Sequence, residues 1–269
     1  MLAIKNNLMA ANAARYLGMS YDNLATSVER LSSGLRINSA SDDAAGMAVR
    51  ELMRANIAVL QQGARNAQDG VSLLQTMEGA LQTIDNLMVR MQQLAEQAAT
   101  GSYSSAQRVI MDNEFSEMAD EITRIAGATD FNGIKMLNNS ATVSIHFGNE
   151  TDKIDIKGDN LDASSLGLTA LSITTAGSAR SALTALNSAI NAKDTARAKF
   201  GYMINRLEST GEVLGIQAEN LMTAESRISD VDVATEMATL TRNQVLSQAG
   251  ASMLAQANSI PQMALTLLR

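Results

Sequence analysis

The chain of 269 residues contains no cysteine. Disulfides and thiolate metal sites are excluded, so stability has to come from packing or assembly. Proline occurs once, at Pro261, tryptophan is absent and only 3% of residues are aromatic. Few helix breakers and few bulky core residues make this the composition of long helices in contact with one another. Basic clusters are also missing: the formal net charge is −7 and no Lys/Arg stripe appears, which argues against a nucleic-acid partner. No run of about 18 apolar residues reads as a membrane span. The opening "MLAIKNNLMAANAARYLG" is interrupted by Asn6, Asn7, Asn12 and Arg15 and does not read as a cleavable signal. Export is expected to use another route. His146 is the only histidine, which removes an HExxH protease and any metal site with two imidazoles. Nothing in the sequence calls for a cofactor.

What is present is apolar spacing in alternating steps of three and four, the mark of a narrow stripe on a helix. Ala10, Ala14, Leu17, Tyr21, Leu24, Val28, Leu31 and Leu35 form the first stripe. Leu73, Met77, Ala80, Ile84, Leu87, Met91, Leu94 and Ala98 form a second, whose helix extends back toward Ile57 and would be roughly 60 Å long. Gly63, Gly70 and Gly79 weaken it, while letting a neighbour come close. Ser104 or Ser105 caps a third helix carrying Met111, Phe115, Met118, Ile122 and Ile125, which ends near Gly127 before an Asn132-Gly133 turn. The period then becomes two: Val143, Ile145 and Phe147 alternate, as do Ile154 and Ile156. A β-hairpin at about 140–160 follows, with His146 on its solvent face. Residues 158–177 read as loop. A fourth helix starts near Ser178, and a final one carries Leu246, Gly250, Met253, Ala257, Ile260, Ala264 and Leu267, bent at Pro261. Short sequons occur at Asn138 and Asn149.

Both ends share one layout: an apolar helix, a Ser/Asp-rich joint and a long helix. In "LSSGLRINSASDDAAGMAV", Ser39 and Asp42 have capping-box spacing, and Asp42 and Asp43 lie where a helix N-terminus favours negative charge. The alternative, a carboxylate metal pair, lacks further ligands nearby. "SRISDVDV" at 226–233 is read in the same way. From Met237 to Arg269 the only charged side chains are Arg242 and Arg269. Such a helix calls for burial against other copies of the protein, with Leu17, Leu24, Leu31, Leu246, Met253, Leu254, Ile260 and Leu267 as the expected assembly contacts. The fold class expected is mainly α: a long antiparallel helical rod over 44–229 with the small hairpin, and a coiled coil of the terminal helices, 1–43 and 230–269.

"LSSGLRINSASDDAAGMAV", "DFNGIKML", "ESRISDVDVATEMA" and "SIPQMALTLLR" together resemble bacterial flagellin, in that family's order and over both ends of the sequence. The resemblance implies a secreted, non-enzymatic subunit of the extracellular flagellar filament, used for motility. It implies terminal helices forming an inner core, long helices and hairpin around it, and a middle too short for outer domains. Type III export, an export chaperone, the filament cap, hook-filament junction proteins and the host Toll-like receptor for flagellin are the partners it implies. It maps the receptor motif onto Arg90, Leu94 and Glu114, with Gln92 and Gln93 where an Arg-Glu pair is usual. The alternative within the superfamily is a hook-filament junction protein. Those commonly carry proline after the Ser-Asp-Asp joint, where this sequence has Ala44 and Ala45.

Overall fold

The computed structural model describes residues 6–148 and 151–267, with side chains described as far as Ile260. Among the described residues five helices, α1 (Leu8–Ser33), α2 (Ala44–Ala99), α3 (Ser105–Ala128), α4 (Ala176–Ser229) and α5 (Val233–Leu267), accompany two strands, β1 (Thr142–His146) and β2 (Lys153–Lys157). The fold is mainly α with a small hairpin, as the periodicities require. Two compact units divide it. One comprises the residues up to Ile57 with those from Glu219 onward, and the other comprises Ala58–Ala218. The backbone of α5 stays helical across Pro261; the side chain of Pro261 and the bend expected there lie outside the described residues, as does the sequon residue Asn149.

Local chemistry sets the helix ends. Asn7 caps α1, its side chain accepting from the Ala10 amide at 3.1 Å, and Gly34 closes the helix with φ 73° and an amide bond to the Arg30 carbonyl. A left-handed residue there is the usual C-terminal stop, and glycine adopts it without strain. Ser104, rather than Ser105, caps α3 in a reciprocal box with Gln107. Thr175 does the same for α4, its Oγ1 accepting from the Ser178 amide at 3.1 Å. Asn132 (φ 50°) and Gly133 (φ 79°) make the turn between Phe131 and Ile134, a pair of positive φ values that Asn-Gly supplies readily.

In the Ala58–Ala218 unit the buried face of α2 is wider than one stripe. Leu74, Leu81, Met88 and Ala95 are buried alongside Leu73, Met77, Ile84, Met91, Leu94 and Ala98, whereas Ala80 and Leu87 are half-buried. The reason is that one continuous core takes in Phe115 and Ile122 of α3 and Leu186, Phe200 and Leu207 of α4. A helix flanked on two sides buries two adjacent columns, where a helix with one partner buries one. Segment 158–175 is irregular yet packed: Leu161, Ala163, Leu166, Leu168 and Ile173 are buried. Its backbone is pinned by polar anchors, Ile173 N to Asp112 Oδ1 at 2.6 Å and Ala163 N to Thr123 Oγ1 at 3.3 Å. Orientation set residue by residue from outside leaves no period to read. Lys193 is 2% exposed and bonds Asp85 and Asp194. Burial alone would lower its pKa, but these carboxylates outweigh burial and hold the ammonium above the ordinary lysine value.

The antiparallel hairpin pairs Val143 with Ile156 and Ile145 with Ile154, turning these four inward. His146 is exposed, opposite Lys153, and its carbonyl accepts from Asn66 of α2 at 2.8 Å. The hairpin lies against the α2 glycines. A Cβ on Gly63 would stand 2.4 Å from the Phe147 carbonyl oxygen, and one on Gly70 would stand 3.2 Å from Ile145, whereas one on Gly79 would meet no described atom within 4 Å. These glycines therefore differ in consequence. Gly79→Ala is expected to raise stability by about 1 kcal/mol through helix propensity. Gly63→Ala should lower it, because backbone cannot swing aside as a flexible side chain can. Denaturant unfolding of the two variants against the parent protein checks both signs.

Candidate functional site

Within the unit built from the two termini, α1 and α5 form an antiparallel helix pair. On α1 a column of buried or half-buried positions runs through Ala10, Ala13, Leu17, Ser20, Leu24, Ser27 and Leu31, with Thr26 and Arg30 half-buried at its flank. On α5 the matching column is Glu236, Leu240, Asn243, Ser247, Gly250, Leu254 and Ala257, with Thr239, Ser259 and Ile260 half-buried beside it. Each column steps by three and four, the repeat of a coiled-coil seam. Three contacts fix direction and register: Asn7 Nδ2 donates to the Ala257 carbonyl at 2.8 Å, a Cβ on Gly250 would stand 3.2 Å from Leu17, and Arg30 pairs with Glu236 at 3.9 Å.

This seam differs from the stripe that spacing alone selects. Ala14, Tyr21 and Val28 belong to the first apolar repeat, yet all three are exposed, Tyr21 by 53%. Leu246 and Met253 of α5 are likewise 50% and 63% exposed. Leucines alternate in the seam with Ala, Ser, Gly and Asn, small groups that let two backbones approach, while larger apolar residues stand outside it. Two overlapping repeats satisfy the same spacing, and periodicity cannot choose between them. Among the expected assembly residues, Leu17, Leu24, Leu31 and Leu254 lie in the seam, Ile260 is half-buried, Leu246 and Met253 face outward, and the side chain of Leu267 is outside the described residues.

The two Ser/Asp-rich joints bond directly to each other. Leu35 and Asp230 form an antiparallel bridge, the Arg36 amide donates to the Ser229 carbonyl at 2.7 Å, and the Val231 amide donates to the Gly34 carbonyl at 3.1 Å. The Arg36 guanidinium adds bonds to the Ile228 carbonyl at 2.7 and 3.3 Å. Arg54 of α2 pairs with Glu225 of α4 at 2.7 Å, and buried Arg50 donates to the Ile37 carbonyl at 2.7 Å. Sequence reasoning missed this clasp. Its only signal was an Arg on either side of the first joint, Arg36 and Arg50, which spacing does not assign to a carbonyl.

The capping expectation at the first joint needs correction. Ser39 does not begin the helix. Its hydroxyl donates to Asp42 Oδ2 at 3.0 Å, and that same oxygen accepts from the Ser39 amide at 2.9 Å, closing a turn. Asp43 is the cap of α2, its Oδ1 accepting from the Gly46 amide at 2.9 Å. At the mirror joint Asp232 caps α5, accepting from the Ala234 amide and the Thr235 hydroxyl. The amide and then the hydroxyl of Ser39 hold the Asp42 carboxyl below the usual carboxylate range, and the hydroxyl and amide of Thr235 do so for Asp232. No group of three or more metal-ligating residues occurs among the described residues, and none of their helices is long and apolar enough to cross a membrane.

The mapped receptor residues are brought together unequally. Arg90 Nε and Nη2 both donate to Glu114 Oε1, at 3.0 and 2.8 Å, joining α2 to α3 on an exposed face. Leu94 is 1% exposed and belongs to the core beneath them. Gln92 donates to Asn187 of α4 at 3.2 Å. Asn138 is half-buried.

Carboxyls with depressed folded-state pKa values stabilise above their unfolded pKa and lose that contribution as pH falls through the folded value. Acidification from about pH 4 downward should therefore loosen both joints. Amide exchange at Ala234, Thr235 and Ser39 measured between pH 5 and pH 2 checks this, and Asp232→Asn should remove the dependence at the second joint alone.

The model for the bacterial flagellin N-terminal helical region matches residues 4–142, and that for the bacterial flagellin C-terminal helical region matches residues 183–268. The chain is 43% identical over 272 residues to a flagellin of Halalkalibacterium halodurans, covering all of both proteins. It is 39% identical to the flagellar filament 30.7 kDa core protein of Treponema maltophilum, over 99% of this chain and all of the other. Among solved structures it is similar to Bacillus cereus flagellin at 33% identity and a TM-score of 0.52, covering 60% of this chain and 94% of that one.

Proposed function

The chain belongs to the bacterial flagellin family and is a structural, self-associating subunit of the flagellar filament; from that premise we propose that the two faces of its terminal helix pair divide the work of assembly. The seam of Leu17, Leu24, Leu31 and Leu254 holds α1 to α5 within a subunit. The outer stripe, with Met19, Tyr21, Val28, Leu246 and Met253, meets neighbouring copies. The observation that carries this is the exposure of these large apolar side chains, those of α5 on a helix whose only charged residues are Glu236 and Arg242. In this reading residues 1–43 and 230–269 form the inner layer and 44–229 the layer around it. The subunit is secreted through the type III route, escorted by an export chaperone and added beneath the filament cap, above junction proteins at the hook. A junction protein is the less favoured identity, since α2 begins directly at Ala44 under the Asp43 cap with no proline between.

Leu246→Asp and Met253→Asp separate the faces. Exposed in the single subunit, they should shift its unfolding free energy by less than about 0.5 kcal/mol, yet abolish polymerisation, because a buried unpaired charge costs several kcal/mol. Sedimentation and negative-stain imaging read the outcome; filaments of normal yield from either variant would remove the outer stripe from the contact.

Receptor recognition is the second reading, favoured by the exposed Arg90–Glu114 pair. Arg90 supplies the anchor, Glu114 orients its guanidinium, and Leu94 supports both from within the core. Arg90→Ala should weaken monomer binding to the receptor ectodomain by roughly 1–2 kcal/mol, measured by titration. Equal affinities would discard the site.

A further inference from the structure

Asn132-Gly133 is an Asn-Gly pair, the sequence most prone to deamidation in an unstructured chain, because glycine puts no side chain in the way of ring closure. The Gly133 nitrogen, once it loses its proton, attacks Asn132 Cγ. The new N–C bond forms as the bond from Cγ to Nδ2 breaks, Nδ2 leaves as ammonia, and water then opens the succinimide to aspartate or isoaspartate. Both residues are exposed here, so neither water nor base is excluded by burial.

We infer that Asp130 guards this site by holding the attacking nitrogen. Its Oδ2 accepts the Gly133 N–H at 2.8 Å, so the proton that must leave is engaged and the nitrogen points at a carboxylate instead of the Asn132 side chain. The peptide plane cannot easily turn. Phe131 and Ile134 exchange both backbone bonds at 3.0 Å across the turn, and Asn132 and Gly133 sit at φ 50° and 79°. Beyond the turn, the Lys135 ammonium bonds the Gly127 carbonyl at the end of α3, anchoring the segment to its helix. Closing the succinimide ring requires the bond to Asp130 to break first. The consequence of failure is structural: isoaspartate adds a backbone methylene inside a two-residue turn, and the Phe131–Ile134 pairing loses its register. Asp130 is thus assigned a protective role, independent of how subunits assemble.

The test uses the full-length protein, folded, incubated at mildly alkaline pH and mapped by peptide mass spectrometry for conversion of Asn132. Asp130→Ala should deamidate about tenfold faster than the parent when folded, the scale of losing one bond to a charged acceptor, and at the same rate as the parent in denaturant. Amide exchange of the unsubstituted protein gives a reading that needs no variant: Gly133 should exchange as slowly as Phe131 and Ile134. Equal folded-state conversion in parent and Asp130→Ala, or open-loop exchange at Gly133 in the parent, overturns the assignment.

Discussion

A pair of helices shares one seam, and α1 and α5 carry more apolar surface than one seam can cover. The consequences run through the terminal unit. Its seam is built from alternating leucines and small or polar residues, Ser20, Ser27, Asn243, Ser247 and Gly250 among them, so close approach is obtained at the expense of buried area. Further large apolar groups stand outside, Tyr16, Met19 and Tyr21 on one helix and Val245, Leu246 and Met253 on the other. Full burial of a Leu, Met or Val side chain contributes about 1.5–3 kcal/mol, which these exposed groups do not gain in the single subunit. Large apolar groups placed away from the partner helix are the feature on which the proposed contact with another copy rests.

The joints answer a different need. A backbone that turns from one helix into the next must satisfy the free amides and carbonyls at each end. Here the joints do so with one another: Gly34, Leu35 and Arg36 take up the backbone around Ser229, Asp230 and Val231, while Asp43 and Asp232 cap the helices that follow. The polar residues that look in sequence like reactive machinery are thereby consumed as internal donors and acceptors. Asp42 is the clearest case, with one carboxylate oxygen taken by the Ser39 amide, the Ser39 hydroxyl and the Asn38 amide together. Depressed pKa values follow from that saturation and signal no catalysis.

Much of this was legible from spacing. The five helices, the hairpin with His146 outward, a serine cap at 104 or 105 and the Asn132-Gly133 turn all have local causes, and local causes leave local patterns. What was illegible depended on partners distant in sequence. Leu74, Leu81 and Met88 lie beside the read stripe and are buried because α2 packs on two sides. Tyr21 and Val28 fit the stripe and are exposed because Gly250 admits Leu17 and so selects the neighbouring face. Leu161 and Ile173 look like loop residues because the polar anchors of their segment, Thr123 and Asp112, lie far earlier in the sequence and set its course. Lys193 gave no sign of burial, since the carboxylate of Asp85 that sustains it lies on another helix.

The two units therefore gain stability by unlike means. The Ala58–Ala218 unit buries Met77, Leu81, Ile84, Phe115, Ile122 and Phe200 almost completely, and its glycines at 63 and 70 trade helix propensity for closure by the hairpin. Its core is complete within one subunit. The terminal unit has few fully buried apolar residues and a seam that is mostly half-exposed. Local opening free energy tracks buried apolar contact, so the terminal pair is the less protected part of a single subunit and the part with most to gain from neighbours. Stability in one unit is fixed by folding, whereas the other leaves large apolar side chains uncovered in the single subunit.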